Sequence, residues 1–224
     1  MVKSFVATGT HHVTFSYHKN RDKAFRLIDD LGKPEGLKAV PLDLNDKDSI
    51  TTLLDQLSKE EAGYDIVIHN AAMNDDQTFF FLEESQWSDV IQASLNSFFY
   101  INKAFLPHMI QNRWGRIIVM ASISGEAGQR GQSNYAAAKG ALIAASKSLA
   151  REVARKGVLV NAVSPGLIET DMTAKANLYE AVSMIPVGRM GTPDEVAKVV
   201  RFLASDDASY INGTILQVNG GLYT

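Results

Sequence analysis

Residues 116–139 read RIIVMASISGEAGQRGQSNYAAAK and join an apolar run to a helical run of small residues. The run from Arg116 to Ala121 predicts a buried strand, because it is short, apolar and rich in β-branched side chains. Ser122 ends this run, and Tyr135 and Lys139 follow in the small-residue run. Residues four apart share one face of a helix, so Tyr135 and Lys139 are expected to point into one site.

A serine, a tyrosine and a lysine placed in this way are a candidate set for reducing a carbonyl group. A free phenol has a pKa near ~10, and a neighbouring ammonium favours the phenolate. We therefore expect Lys139 to lower the pKa of Tyr135 and Tyr135 to donate a proton to the carbonyl oxygen, which Ser122 would hold. Tyr-x-x-x-Lys alone is a weak pattern, since a packed tyrosine and a solvated lysine often have this spacing by chance.

The rest of the chain alternates short apolar runs with helical ones. This alternation predicts an α/β fold with a doubly wound parallel sheet, in one domain spanning residues 1–224 without linker or repeat. The expected strands are 5–8, 13–17, 38–42, 65–69, 116–121, 158–163 and 215–218. The expected helices are 21–31, 46–62, 85–111 and 133–156, with one more that begins after Thr192 as its N-cap.

Composition narrows the class of function. The 224 residues carry a net charge of −3, which gives no reason to expect a nucleic acid or an anionic membrane as partner. The chain has no cysteine, which excludes disulfides, thiolate catalysis and Cys-ligated metals. The histidines lack a carboxylate–histidine cluster, so no metal site is predicted. No apolar run reaches membrane-spanning length and no signal peptide is apparent, so we expect a soluble cytoplasmic protein.

Further motifs come in the order and spacing of one known family. Besides Ser122, Tyr135 and Lys139 they are N-A-V-S-P-G at 161–166 and V-N-G-G at 218–221. From about Asp43 to Thr224 the chain resembles the short-chain dehydrogenase/reductase family, and within it the 3-oxoacyl-(acyl-carrier-protein) reductases. The resemblance implies a Rossmann-like fold, a homotetramer, and NADPH-dependent reduction of a 3-oxoacyl thioester carried by acyl-carrier protein.

The resemblance also assigns residues to the cofactor. Asp43 and Leu44 would line the adenine pocket, and Asn70-Ala71-Ala72 matches a family motif that ends in glycine. The nicotinamide would lie against Pro165, Gly166 and Ile168, and its ribose would contact Tyr135 and Lys139. His18 and Lys19 follow a strand where an acidic residue would bind a 2′-hydroxyl and a basic one a 2′-phosphate. Their presence favours NADPH over NADH.

The amino terminus departs from the family pattern. Thr8 and Gly9 match the start of a glycine-rich turn that binds the cofactor pyrophosphate, but the other glycines and the first helix, about twenty residues in all, are missing. Four residues separate Thr8 from Val13, whereas a parallel crossover needs at least ~10–12. A hairpin with Gly9 in its turn remains possible. The first βαβ unit is therefore expected to be truncated.

Three explanations for this truncation are open. The given sequence lacks a segment that the protein has, or the protein is truly shorter and binds dinucleotide poorly, or a remodelled edge still binds the cofactor.

The resemblance assigns three more residues. Ser94 stands where the family has a catalytic asparagine that holds a water, and Asn96 lies on another side of the helix. Arg113 and Lys156 match basic residues that contact the carrier protein. Two alternative functions remain open: a non-catalytic subunit that stabilises an active partner in a hetero-oligomer, and a dehydrogenase of another small alcohol or ketone.

Overall fold

The computed structural model describes residues 1–59, 63–170, 173 and 179–224. Helices and strands alternate along most of the described chain. The strands are β1 Val13–Tyr17, β2 Leu37–Pro41, β3 Ile66–His69, β4 Gly115–Met120, β5 Val158–Pro165 and β6 Ile215–Val218. The α-helices are α1 Val2–Val6, α2 Arg21–Asp30, α3 Lys47–Leu57, α4 Glu84–Ile91, α5 Ser97–Asn112, α6 Ser124–Ala127, α7 Ser133–Val153, α8 Tyr179–Ser183 and α9 Pro193–Leu203.

The strands are parallel throughout the described chain, which confirms the predicted α/β fold of Rossmann type. They form two sheets, however: β1 pairs with β2, and β3, β4, β5 and β6 pair in that order. Parallel neighbours end at the same side, so β1 and β2 share a carboxyl edge, and β3 to β6 share one. Residues that follow β1, β2 and β3 line one pocket, so the carboxyl edges of the two sheets lie on the same side. The expected single sheet is interrupted between β1 and β3. The strand expected at residues 5–8 would have lain between them and paired with both.

The expected strand over residues 5–8 is wrong, and the hairpin does not form. Residues Val2–Val6 are helical, and Phe5 is buried in an apolar cluster with Ile118 and Val200. Helix α1 packs against α9 and β1, on one face of the sheets. A short helix can place Phe5 in this core, whereas a parallel strand could not reach β1 through four residues. The first βαβ unit is thus reduced to α1 and β1.

The two faces of the sheets carry separate apolar clusters. Helices α3, α5 and α7 cover one face, where Leu53, Phe105, Met109 and Leu142 pack against β4 and β5. Helices α1 and α9 cover the other. The expected long helix at 85–111 consists of α4, a π-helical turn Gln92–Asn96 and α5. No helix in the described residues is long and apolar enough to cross a membrane.

Candidate active site

Ser122, Tyr135 and Lys139 meet at the carboxyl edge of the four-stranded sheet. Ser122 follows β4, and the other two lie in the first turns of α7. The Tyr135 hydroxyl shares a hydrogen bond with the Ser122 side chain. The Lys139 Nζ lies 5.6 Å from the centre of the Tyr135 ring. The spacing of these residues in the sequence therefore predicted a real side-chain cluster.

Lys139 is buried, and within the described residues its ammonium makes one hydrogen bond. Its side chain is 1% exposed, and Nζ donates to the backbone oxygen of Met120 at 2.6 Å. Burial disfavours the ammonium and lowers the pKa of Lys139 to about 8. The lysine is therefore held beneath the tyrosine by the end of β4.

The pKa of Tyr135 is opposite to the expectation. Burial raises it and the Asp76 carboxylate raises it further, while the hydrogen bond with Ser122 lowers it. The Lys139 ammonium donates its hydrogen bond to the backbone oxygen of Met120 rather than to the phenol oxygen. In this arrangement the neutral phenol is favoured, which is the form that can donate a proton.

Close helix packing fixes Lys139 against the turn after Ser122. A Cβ on Gly125 would lie 2.7 Å from the Cβ of Lys139 and 2.8 Å from the backbone nitrogen of Gly140. A Cβ on Gly140 would in turn lie 3.0 Å from the Gly125 oxygen. Both glycines are needed for helices α6 and α7 to approach closely enough to hold the site together.

Sequence reasoning missed two polar side chains, Asn134 and Gln132, whose hydrogen bonds hold the start of α7 beside Tyr135. Asn134 is fully buried, and its Nδ2 donates to the backbone oxygens of Asp75 (2.9 Å) and Gln86 (3.2 Å). Its Oδ1 accepts from the Tyr135 nitrogen at 2.8 Å. Gln132 donates to the Asp76 carboxylate at 2.7 Å and accepts from the Ser124 hydroxyl at 2.9 Å. An asparagine adjacent to the tyrosine was visible in the sequence, but its partners lie about fifty residues away.

Ser94 lies in the π-helical turn and is buried. Within the described part of the chain its Oγ has no hydrogen-bond partner, and neither has Nε2 of His69. Asn96 is exposed and donates to the Gln92 side chain at 2.7 Å, so it does not replace Ser94. Burial lowers the pKa of His69 to about 4. Ser94 and His69 line the same cavity, which lies between β1 and β3.

Several residues assigned to the cofactor surround one pocket of about 410 Å³ at the carboxyl edge. Asp43, Leu44 and His18 line its side towards β1 and β2, and Ala71 and Ala72 line its side towards β3. The His18 Nε2 lies 3.1 Å from an Asp43 carboxylate oxygen. Asn70 lies nearby, lining the neighbouring cavity, and Lys19 is exposed next to His18.

Pro165, Gly166 and Ile168 lie at the same carboxyl edge, at the end of β5. The Gly166 nitrogen donates to the Val218 oxygen, and a Cβ at Gly166 would lie 2.7 Å from the Cα of Asn219. Ile168 forms an isolated parallel bridge with Gly191. Glu126 links the ends of β5 and β6, because its carboxylate accepts hydrogen bonds from the Ser164 hydroxyl (2.7 Å) and from the Gln217 amide (2.8 Å).

Four predicted site residues lie at the opposite, amino edge. Thr8 shares a surface pocket with Ser205 and Asp207, which follow α9 near the start of β4. Gly9 comes next in the chain, with φ of +68°. The structure therefore does not bring Thr8 and Gly9 to the pocket of about 410 Å³, because α1 ends at the other side of the sheet.

Arg113 and Lys156 lie near each other at that amino edge. Arg113 ends α5 and donates to the Arg155 oxygen at 3.3 Å. Tyr135 and Lys156 lie near opposite ends of the helix that begins at Ser133, and at ~1.5 Å per residue they are about 30 Å apart. The two basic residues are thus remote from the cluster of Ser122, Tyr135 and Lys139 in the same chain.

Comparisons with known proteins agree with this geometry. A family model described as Enoyl-(Acyl carrier protein) reductase matches residues 1–223. The 3-oxoacyl-(acyl-carrier-protein) reductase FabG of Haemophilus influenzae is 45% identical over 192 residues, which cover 83% of this chain and 78% of that protein. The proteins of the same name from Vibrio cholerae and Escherichia coli are each 44% identical over 189 residues, with the same coverage.

Proposed function

The chain belongs to the short-chain dehydrogenase/reductase family of oxidoreductases, and we propose that it reduces 3-oxoacyl thioesters to 3-hydroxyacyl thioesters with NADPH. The observation that carries this proposal is the cluster of Ser122, Tyr135 and Lys139 at the carboxyl edge, beside the pocket of about 410 Å³. Ligands of open parallel sheets bind at this edge. The similarity to three named 3-oxoacyl-(acyl-carrier-protein) reductases supports the substrate class.

The residues at the carboxyl edge fit two parts of a dinucleotide better than the third. The pocket around Asp43 and Leu44 suits an adenosine, and the segment from Pro165 to Ile168 suits a nicotinamide. The pyrophosphate between them fits less well, because Thr8 and Gly9 bring no backbone N–H groups to the carboxyl edge. His18 and Lys19 would contact a 2′-phosphate, which favours NADPH.

The protein's part in the reaction is positioning and proton transfer. When bound, NADPH supplies the hydride. The Ser122 hydroxyl donates to the carbonyl oxygen of the thioester and holds it beside Tyr135. The buried neutral phenol of Tyr135 donates its proton to that oxygen as negative charge develops. Lys139 is anchored on the Met120 oxygen. Its ammonium would stabilise the phenolate that remains, and it would hold the nicotinamide ribose when the cofactor is bound.

Ser94 would bind a water that returns a proton to the site. Its Oγ is buried without a partner within the described chain, and it lines a cavity large enough for water. A hydroxyl in this place can both donate and accept, so it suits a relay.

A carrier protein at Arg113 and Lys156 would serve the active site of another copy. These residues lie about 30 Å from Tyr135 along α7, so a substrate docked there does not reach the catalytic set of the same chain. We therefore propose a homotetramer in which the amino edge of one copy lies near the carboxyl edge of another.

A non-catalytic subunit is the second candidate function. The observation in its favour is the place of Thr8 and Gly9 at the amino edge, opposite the edge where a dinucleotide would bind. Such a chain would keep its partner-binding surfaces and stabilise an active copy in a hetero-oligomer. The intact set Ser122, Tyr135 and Lys139 favours the enzyme. A dehydrogenase of another small alcohol would use the same residues, and substrate profiling separates it.

The test is titration of the purified chain with NADPH, followed by fluorescence, and then addition of an acetoacetyl thioester. We expect saturable binding and NADPH oxidation, with Tyr135→Phe lowering kcat by ~10²–10⁴-fold in a variant that still binds NADPH. Tyr210→Phe is the matched control, because Tyr210 is fully exposed. A folded chain that shows no binding at millimolar NADPH would exclude the enzyme and favour the partner subunit.

A further inference from the structure

The loop between β3 and α4 carries three consecutive exposed phenylalanines. Phe79, Phe80 and Phe81 are 72%, 88% and 64% exposed. A phenylalanine side chain presents about 200 Å², so together they leave roughly 450 Å² of apolar surface in water. The rings of Phe80 and Phe81, which we name the aromatic pair, are in edge-to-face contact with centres 5.0 Å apart. A contiguous apolar surface of this size is typical of a binding site.

Backbone hydrogen bonds hold the aromatic pair in a defined turn. The Phe81 nitrogen donates to the Thr78 oxygen at 2.9 Å, and the Leu82 nitrogen donates to the Phe79 oxygen at 3.3 Å. These bonds do not use the aromatic side chains, whose exposed rings add little to the core of this chain. Because burial of apolar surface is favourable, rings that the fold leaves in water gain from contact with an apolar ligand.

The loop that carries the aromatic pair is attached to the active-site cluster. The Gln77 nitrogen donates to the Gly131 oxygen at 2.8 Å, just before α7 begins. The Asp76 carboxylate lies close enough to the Tyr135 phenol to act on it electrostatically. Phe80 follows Asp76 by four residues, which span at most ~14 Å at full extension. The aromatic pair therefore lies beside the place where Tyr135 meets a substrate.

The charges around the aromatic pair favour an uncharged apolar ligand. Asp75, Asp76, Glu83 and Glu84 flank it in the sequence, and no lysine or arginine occurs from residue 60 to residue 102. An acidic carrier protein or an anionic membrane would be repelled by these carboxylates. Phenylalanine rings offer no hydrogen bonds to the amides of a pantetheine arm. The acyl chain is the part of a 3-oxoacyl thioester that this surface suits.

We propose that the aromatic pair binds the acyl chain of the substrate and makes the enzyme selective for long 3-oxoacyl thioesters. This inference rests on the proposed function and deepens it. Four residues of chain contain about twelve backbone bonds, so an acyl chain with about ten carbons beyond the reacting carbonyl is nearly as long as the stretch from Asp76 to Phe80. The acetoacetyl group has only a methyl group beyond that carbonyl and stops short of the aromatic pair.

The experiment compares the reduction of acetoacetyl and 3-oxododecanoyl thioesters of N-acetylcysteamine by the unsubstituted chain and by Phe80→Ser/Phe81→Ser. Each CH₂ removed from water contributes about fourfold to affinity. Loss of the aromatic pair should therefore lower the ratio of kcat/KM for the long substrate to that for the short one by about tenfold or more. Tyr210→Ser is the matched control and should leave this ratio unchanged, because Tyr210 is a fully exposed aromatic residue elsewhere on the chain.

Binding of the dodecanoyl thioester, which lacks the 3-oxo group, separates the acyl site from the proposed function. By titration calorimetry, the double variant should bind it about tenfold more weakly than the unsubstituted chain. If the unsubstituted chain reduces neither substrate, the proposed function fails and this binding still tests the aromatic pair. An unchanged ratio in an active protein, or unchanged binding, would overturn the inference. Equal losses with both substrates and a smaller sedimentation coefficient would overturn it too, and would assign the aromatic pair to contact between copies.

Discussion

The burial of Lys139 links the ionisation of the active site to the stability of the fold. The pKa of Lys139 is lowered from 10.5 to about 8, because the ammonium is buried between β4 and α7. Between these two pH values the unfolded chain binds a proton that the folded chain has lost. Stability attributable to Lys139 therefore rises as the pH goes from about 8 to 10.5, and below pH 8 the buried charge costs about 3 kcal/mol.

Lys139→Met should therefore be more stable than the unsubstituted chain at pH 7. The difference in the free energy of unfolding should fall between pH 8 and pH 10.5, as measured by urea unfolding at a series of pH values. Lys147→Met is the control on the same helix, because Lys147 is exposed. A difference that stays constant with pH would contradict the lowered pKa.

His69 should make the protein sensitive to acid. Its pKa falls from 6.5 to about 4, chiefly because burial disfavours the imidazolium. As the pH drops from 6.5 to 4 the unfolded chain takes up a proton that the folded chain refuses, so stability is lost over that window, by up to about 3 kcal/mol.

The measurement is urea unfolding of His69→Leu at pH 7 and pH 4.5, compared with the exposed-site control His12→Leu. The His69 variant should lose less stability between the two pH values than the control. Equal losses in both variants would show that other groups cause the acid sensitivity.

At the scale of elements, the start of α7 depends on contacts that are distant in sequence. Asn134 joins α7 to α4 and to the loop after β3, and it also accepts from the nitrogen of Tyr135. Asn134→Asp keeps the acceptor but removes both Nδ2 donors. We expect a loss of ~1–3 kcal/mol in the free energy of unfolding. We also expect a larger loss in kcat than in substrate binding, because the first turn of α7, which carries Tyr135, is no longer tied to α4 and to the loop after β3.

Asn112→Asp on the exposed end of α5 is the matched substitution, and it should leave both quantities nearly unchanged. If Asn134→Asp lowers stability without lowering kcat, then Asn134 supports only the fold.

The helices and strands also show which elements hydrophobic periodicity predicts and which it misses. Strands β1 to β6 lie within one or two residues of the predicted apolar runs, because each run is bounded by glycine, proline or polar residues. The π-helical turn around Ser94 was not predictable, since a wider turn leaves no mark in hydrophobic periodicity. The strand expected at 5–8 failed because a strand needs a paired neighbour, and the short connection to β1 denied it one.

At the scale of the molecule, the distance between the two ends of α7 predicts how the carrier protein acts. Arg113→Glu/Lys156→Glu should lower kcat/KM about tenfold or more for a carrier-bound substrate, because rim charges speed encounter with an acidic partner. The same variant should turn over a small acetoacetyl thioester at the original rate.

Lys59→Glu is the charge-reversal control on another exposed surface. Equal losses with both substrates would place Arg113 and Lys156 in the fold or the assembly, which sedimentation of the variant would reveal. A carrier-bound rate that is unaffected would exclude this docking surface.

The sequence by itself determined the strands β1 to β6, the family and the clustering of Ser122, Tyr135 and Lys139. These features depend on local spacing, and spacing of three or four residues on a helix fixes a shared face without knowledge of the rest. Only the tertiary structure decided the raised pKa of Tyr135 and the hydrogen bonds of Asn134 to distant backbone oxygens. It also decided the placement of Thr8, Gly9, Arg113 and Lys156 at the amino edge. These depend on burial and on contacts between residues distant in the chain, and neither is encoded in any short stretch of it.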